Sequence, residues 1–399
     1  MKTIISIINP NNIDTSVIEQ AASIIQNGGI VAFPTETVYG LGGDALNPES
    51  SAKIYEAKGR PSDNPLIVHI ADIDKLPAIV SDIPKEAKAL TERFWPGPLT
   101  IILGKSDIVP YKTTGGLDTV AVRYPSDPVA QAFIRASGGY IAAPSANLSG
   151  KPSPTVGKYV IQDLDGRVDM IITGDDSVIG LESTIVDMTS DKPMILRPGY
   201  ITYEELKEVI PEVCMDPALI HTDDPTCHPE GASCPPENGS CHPERAAASR
   251  RIPEPEQTDT LLHPKAPGMK YRHYAPNGSL VIVCQSNNGN YDTSVHEESS
   301  KDTIVSYIND RLTQDHASGL KTAVITTDER TDRYAADVIC STGPEDDPIE
   351  AAHRLFAILR KMDDEGVQSI YAEGMSESGI GTAYMNRLRK AAGGKIVFI

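Results

Sequence analysis

The order of short apolar runs and helix-period runs predicts an α/β chain in two domains. The first is a twisted open sheet with flanking helices and the second a smaller, doubly wound α/β domain. Three observations predict this. Strand-like and helix-like stretches alternate through residues 1–210, the rhythm stops over 211–263, and it resumes from 279 to 399. A length of 399 residues suits two or three domains.

In the first domain, 29–33 reads as a short apolar strand and 49–58 as a helix that Gly59 stops. Residues 65–70 read as a strand, 83–94 as a helix and 99–103 as a strand. Further strands are expected at 119–123, 140–143, 170–173, 184–188 and 194–197. Residues 211–263 hold nine of the 31 prolines, ten acidic and three basic residues, and no Phe, Tyr or Trp. So little apolar surface does not offset the entropy of ordering a chain, so a disordered insertion at about 221–263 is expected, inside a 211–278 linker. In the second domain, 279–284, 322–326, 337–340, 369–372 and 395–399 read as strands. The stripe Leu355, Ile358, Leu359, Met362 marks a helix over 351–362.

Composition narrows the function. The net charge of −19 excludes a broadly basic nucleic-acid clamp, and residues 1–210, with 18 basic and 26 acidic residues, carry −8 of it. No run reaches the roughly 18 apolar residues of a membrane span, and residues 1–8 lack the pattern of a secretory signal. A cytoplasmic protein is expected. The six cysteines form no compact disulfide framework. The repeat Cys227-His228-Pro229-Glu230 and Cys241-His242-Pro243-Glu244 matches no standard zinc spacing and is read as Cys-His pairs without a metal role.

The richest motif runs from Pro34 to Ile70. Thr35-Glu36-Thr37 follows a strand, and Gly40, Gly42 and Gly43 come soon after. This reads either as a βα turn with convenient glycines or as a loop whose backbone N–H groups approach a ligand. It fits neither a Walker A loop nor a dinucleotide fingerprint. Lys58 and Arg60 flank Gly59, where cations complement a helix C-terminus. Arg60 lies past the stop, before Pro61, and is biased to extended backbone that aims its planar donor fork outward. His69 shares a strand face with Ile67 and, taken alone, reads as a satisfied core histidine. Arg123 ends a β-run, where α/β folds place ligand contacts, although a surface salt bridge is the plain alternative. Pro144-Ser145-Ala146-Asn147 and Ser183 to Asp187 put small polar groups at strand ends, and Arg197 adds a third arginine. No Ser-His-Asp order, His-Glu-x-x-His or Cys-x-x-Cys is present. Such a set favours catalysis by positioning and charge stabilisation, as in phosphoryl or nucleotidyl transfer.

Taken together, Pro34-Thr35-Glu36-Thr37-Val38-Tyr39-Gly40-Leu41, Lys58-Gly59-Arg60-Pro61 with Asn64-Pro65-Leu66, Pro144 to Asn147 and Ser183 to Asp187 resemble the YrdC/YwlC family, the threonylcarbamoyl-AMP synthases. The segment Ala266 to Pro276 resembles the linker of the longer, two-domain members, and 279–399 their Rossmann-like C-terminal domain. The resemblance implies a YrdC-like catalytic domain over 1–210. It implies an enzyme that makes L-threonylcarbamoyladenylate and pyrophosphate from L-threonine, bicarbonate and ATP, for threonylcarbamoyladenosine modification of tRNA. By motif it places threonine on Thr37, His69, Arg123, Ala143 and Ser183. It places ATP on Lys58, Arg60, Asn64, Thr119, Ser145, Ser153, Arg197 and Tyr271, with Lys58 and Arg60 as the catalytic cations. It brings Mg2+ with the phosphates and implies hand-over of the product to the tRNA threonylcarbamoyltransferase machinery. Two other readings stand beside it. One is an RNA-binding module using the loop cations, which the charge of residues 1–210 disfavours. The other is carbamoyl transfer of the hydrogenase-maturation type, whose chains carry an acylphosphatase-like part and zinc fingers before the similar domain.

Overall fold

The structure, a computed structural model, describes residues 2–219, 264–266, 274–285 and 298–399. Tyr271 and the expected insertion with its Cys-His repeat lie outside the described residues. Residues 2–219 contain β1 (Ile4–Ile7), α1 (Thr15–Gln26), β2 (Val31–Phe33), β3 (Gly40–Asp44), α2 (Pro48–Lys58) and β4 (Ile67–His69). Then come α3 (Leu76–Ile79), α4 (Lys85–Phe94), β5 (Leu99–Gly104), β6 (Thr119–Arg123), α5 (Pro128–Ala136) and β7 (Ile141–Ala143). The part closes with α6 (Gly157–Leu164), β8 (Met170–Thr173), β9 (Thr184–Asp187), β10 (Met194–Arg197), α7 (Tyr203–Val209) and β11 (Cys214–Met215). Its strands form one mixed sheet of 11, in the order β1-β8-β2-β3-β7-β4-β6-β5-β9-β10-β11.

Local chemistry accounts for the elements around the future site. Asn47 caps α2 by accepting from Glu49 N, Pro48 takes the first turn, and Gly59 ends the helix at φ 61°. The period-2 alternation of strands sorts the two sheet faces. Leu66, Val68 and Ile70 turn towards the helices α2, α4 and α6 and join the main core there. Val31, Phe33, Ile141 and Ala143 turn the other way, under α1 and α5. Phe133 of α5 is fully buried in that second cluster, worth about 2 kcal/mol of hydrophobic stabilisation. Beyond the edge of α5 the same sheet face carries only a small cluster, Ile67, Ile102, Ala121, Ile185 and Leu196 with Ala266 of the linker. That thinly covered stretch of sheet is where the cleft forms.

The glycine-rich segment departs from the turn expected of it. Gly40 to Asp44 is a strand, antiparallel to β2. A Cβ on Gly42 would sit 2.7 Å from Ile141 Cγ2 and 2.9 Å from Phe33 Cε1, so this glycine serves close strand packing and not ligand approach. Pro144 to Ala146 likewise extends the sheet beside β3, through Leu41 N to Pro144 O and Ala146 N to Tyr39 O, and does not start a helix.

The C-terminal part holds β12 (Ser279–Cys284), α8 (Glu298–Ala317), β13 (Thr322–Thr326), β14 (Val338–Ser341), α9 (Pro348–Asp364), β15 (Ser369–Glu373), α10 (Ile380–Ala392) and β16 (Ile396–Phe398). The five strands are all parallel, in the order β14-β13-β15-β12-β16. Leu280 and Ile282 pack under α9 and α10, and Val283 packs under α8 with Ile304, Val305 and Ile308. Helices on both faces make the sheet Rossmann-like. The order differs from the 3-2-1-4-5 of that fold in that the fourth strand inserts between the first and second. The core under α9 and α10 also takes in Val38, Leu181 and Tyr274, so the two parts share apolar contacts.

Candidate functional site

A cleft opens on the uncovered sheet face. Among the described residues four cations line it, Lys58, Arg60, Arg123 and Arg197, against a single carboxylate, Glu182. Threonine and serine hydroxyls and the backbone of Pro144 and Gly150 complete much of the wall. Strand alternation delivers the central members. His69 follows Ile67 by two residues, Arg123 follows Ala121, and Ala143 follows Ile141, so all three reach the same face.

Arg123 organises one end. It is 4 % exposed and donates from Nη1 to Thr37 Oγ1 at 2.7 Å. Its Nη2 lies 2.7 Å from Glu36 Oε1, but the N–H does not line up with that oxygen. Nε and Nη2 are therefore buried donors with no hydrogen-bond partner among the described residues, charge-paired with Glu36 but not satisfied by it. Thr35 Oγ1 donates to Val38 O at 2.6 Å and accepts from Thr37 N at 3.2 Å, which ties the turn that presents Thr37. His69 is buried with Nδ1 3.0 Å from Ile67 O. A carbonyl accepts only, so Nδ1 carries the proton and Nε2 is left as an acceptor. Burial first, then Arg123, pulls the His69 pKa down to about 3 and keeps the ring neutral. Ser183 Oγ shares a hydrogen bond with Thr100 Oγ1 at 2.7 Å and accepts from Arg197 Nη2 at 3.1 Å.

The other end is polar and cationic. Lys58 is 3 % exposed and donates from Nζ to Ser145 O at 2.6 Å, to Asn147 O and to Asn147 Oδ1 at 3.3 Å. Burial first and Arg60 second push its pKa well below the lysine range. Three acceptors around one nitrogen are nevertheless the partners of an ammonium, so these contacts hold the charge that burial opposes. Lys58 thereby pins the Pro144–Asn147 turn and the side of the cleft that Ser145 presents. Arg60 folds back on its own loop, donating to Asn64 O at 3.3 Å and Pro65 O at 3.1 Å. Arg197 is 5 % exposed, and burial lowers its pKa to about 10, which leaves it charged at neutral pH. Ser153 Oγ donates to Glu182 Oε1 at 2.6 Å.

Ten of the residues expected from sequence line this one cleft: Thr37, Lys58, Arg60, His69, Arg123, Ala143, Ser145, Ser153, Ser183 and Arg197. Asn64 and Thr119 do not line it. Asn64 is buried under Arg60, with Oδ1 unpaired among the described residues, and Thr119 stands two steps along β6 from Ala121, on the same face as Arg123. Tyr271 lies outside the described residues. Tyr274, three residues on, has φ 66°, lines the cleft and stacks on Phe356 with ring centroids 5.1 Å apart. Burial pushes its pKa up to about 12.

Sequence reasoning missed Glu182 and the two arginines that the C-terminal part sends to the cleft's supports. Arg387 of α10 is fully buried and donates from Nε to Glu182 Oε2 at 3.1 Å and from Nη1 to Pro198 O at 2.5 Å. Burial raises the Glu182 pKa, but Arg387 and then Arg197 bring it below the usual carboxylate value. Arg360 of α9 grips Asp163 with two N–H groups, at 3.1 and 2.8 Å, and also donates to Pro152 O at 2.9 Å. Glu182 had a signal, since it adjoins Ser183. Arg387 had none, because it stands about 200 residues away in sequence.

Comparison with known proteins gives a consistent result. A family model described as telomere recombination (Sua5, YciO and YrdC) matches residues 23–199, and a model of the threonylcarbamoyl-AMP synthase C-terminal domain matches 201–393. The chain is 42% identical over 377 residues to the threonylcarbamoyl-AMP synthase of Pyrococcus abyssi, covering 94% of each. It is 42% identical over 382 residues to that of Bacillus subtilis, covering 95% of this chain and 94% of the relative. Among solved structures it is similar to P. abyssi Sua5 complexed with L-threonine, with a TM-score of 0.81, 41% identity and full coverage of both chains.

Proposed function

The chain belongs to the threonylcarbamoyl-AMP synthase family in its two-domain form and is a nucleotidyltransferase, and we propose how its cleft does that work. The reaction forms L-threonylcarbamoyladenylate and pyrophosphate from L-threonine, bicarbonate and ATP. The observation that carries the assignment is Arg123, a buried guanidinium on the cleft wall whose Nε and Nη2 have no hydrogen-bond partner among the described residues, although Nη2 is charge-paired with Glu36. A carboxylate is the natural partner for such a fork. Threonine is assigned to Thr37, His69, Arg123, Ala143 and Ser183. Neutral His69 offers an acceptor to an N–H or O–H of the amino acid. ATP is assigned to Lys58, Arg60, Asn64, Thr119, Ser145, Ser153 and Arg197, with Tyr271 on the closing segment 266–276.

The amine of threonine attacks the carbon of bicarbonate, water leaves, and a carbamate results. A carbamate oxygen then attacks the α-phosphorus, the bond to the bridging oxygen breaks, and pyrophosphate departs. Both partners are anions, so repulsion and alignment are the obstacles. Lys58 and Arg60 are assigned as the cations that offset charge on the phosphates. A cleft that excludes water protects the carbamate from loss of carbon dioxide.

Among the described residues no group of three His, Cys, Asp or Glu is placed to hold a metal ion, and Glu182 is already engaged by Arg387 and Ser153. Mg2+ therefore enters as part of the MgATP substrate, held by phosphate oxygens and water, and neutralises phosphate charge. We place the enzyme in the cytoplasm, where ATP and tRNA are found. No helix among the described residues is long and apolar enough to cross a membrane. The product would pass to the tRNA threonylcarbamoyltransferase machinery. Residues 1–210 are taken as the catalytic domain, 211–278 as the linker, and 279–399 as the C-terminal domain.

Purified protein is expected to release pyrophosphate only when threonine, bicarbonate and ATP are present together. Release that ignores threonine, or none at all, sinks the assignment.

A further inference from the structure

Among the described residues, Glu182 is the one negative side chain on a cleft that must accept a polyphosphate. Left uncompensated, it would repel that ligand at short range, in a site too buried for solvent to screen it. The first domain does not hold it alone. Its Oε1 takes the Ser153 hydroxyl, its Oε2 takes Arg387 Nε from the C-terminal domain, and Arg197 adds a smaller share of compensating charge. Arg387 is 0 % exposed and reaches across to Pro198 O, the carbonyl next to Arg197. Its guanidinium thus touches the loop that carries Ser183 and the loop that carries Arg197, while Glu182 in turn holds Ser153. Arg360 makes a comparable joint between the domains, but its partners Asp163 and Pro152 do not line the cleft, and Lys151 also compensates Asp163 at 3.0 Å.

We infer that Arg387 is a positioning residue for ATP: it neutralises Glu182 and turns it onto Ser153, so that the C-terminal domain sets the charge of a cleft built by the first domain. This rests on the assignment of that cleft to ATP.

The test uses the full chain, with pyrophosphate release as the assay and thermal melting as the check of folding. Arg387→Met is expected to raise the KM for ATP at least tenfold, with a smaller change in the KM for threonine. Adding Glu182→Gln removes the charge that Arg197 alone would then balance and is expected to recover most of that loss. A structural defect would not be mended by a second substitution at the same contact. Arg330→Met, which breaks the C-terminal network around Glu373 and touches no cleft residue, is expected to lower the melting temperature yet leave the KM for ATP within about twofold. The inference is overturned if folded Arg387→Met keeps the wild-type KM, if Glu182→Gln fails to recover it, or if Arg330→Met shifts it equally. Should Arg387→Met not fold, Arg387→Gln, which also removes the charge, is measured instead; a KM for ATP raised threefold or more supports the role, and a wild-type value overturns it. Wild-type protein that turns over no ATP defeats the functional assignment itself, whereas normal wild-type turnover with an indifferent Arg387→Met defeats only the positioning role.

Discussion

The two sheets of this molecule treat the ends of their strands in opposite ways. The parallel C-terminal sheet has the layout in which α/β folds commonly bind ligands beyond the strand C-termini. Here that place is filled. Glu373, at the end of β15, accepts from Thr326 Oγ1, from Tyr334 OH at 2.7 Å and from Arg330 Nε at 2.8 Å, and Arg330 also reaches Glu345 at 2.9 Å. No member of that network has an unpaired buried polar atom. In the mixed sheet, by contrast, Arg123 is charge-paired with Glu36 yet keeps Nε and Nη2 buried without a hydrogen bond among the described residues. A saturated network stabilises a fold, and unsatisfied donors on a cleft wall await a ligand. Topology alone points to the wrong sheet; hydrogen-bond accounting points to the right one.

Arg123→Met gives the sharpest contrast. Losing a charge-assisted contact worth about 3 kcal/mol is expected to lower kcat/KM for threonine about 100-fold per folded molecule, on top of the stability lost by leaving Glu36 buried without its ion pair. Unaltered kinetics would remove Arg123 from the site. Glu373→Ala is the mirror experiment. It leaves Arg330 buried with Glu345 as its remaining carboxylate partner and is expected to reduce unfolding free energy by about 3 kcal/mol, while turnover per folded molecule stays at the wild-type level. A folded but inactive Glu373→Ala would break the comparison.

His69 links the cleft to pH. The unfolded chain binds a proton below the ordinary histidine pKa of 6.5, and the folded ring does not until about pH 3. Stability from this group is therefore complete above 6.5 and falls as the pH drops towards 3, by about 2 kcal/mol at pH 5. Denaturant unfolding of wild type and His69→Gln at pH 7.5 and 5 should show that difference; equal pH slopes would show that the ring is already charged in the fold. Arg60→Ala has the smallest expected effect, about a tenfold fall in activity, near 1.4 kcal/mol, with melting unchanged. Wild-type turnover would take Arg60 out of the site.

Much of this was legible in the sequence. The strands at β6, β8, β10, β12 and β13 appear where the apolar runs place them, because a run of four to six β-formers between turn residues has few other uses. The partition of Leu66, Val68 and Ile70 from Ile67 and His69 also follows from the period of two. The gaps have physical causes. Gly40 to Asp44 reads as a turn because glycine disfavours strands, and the fold overrides this where Phe33 and Ile141 leave no room for a Cβ. Lys58 reads as a helix-terminal cation, yet its partners are carbonyls about 90 residues away.

By itself, then, the sequence determined which residue types this protein brings to its chemistry and which strand face each occupies, since alternation and turn propensities are local. Tertiary structure alone decided which of those groups remain unsatisfied. Arg123, Arg330, Arg360 and Arg387 are the same side chain, and nothing in their neighbours along the chain tells a ligand-binding guanidinium from a structural one. The difference is whether the fold surrounds each with enough acceptors, and those acceptors come from residues distant in sequence.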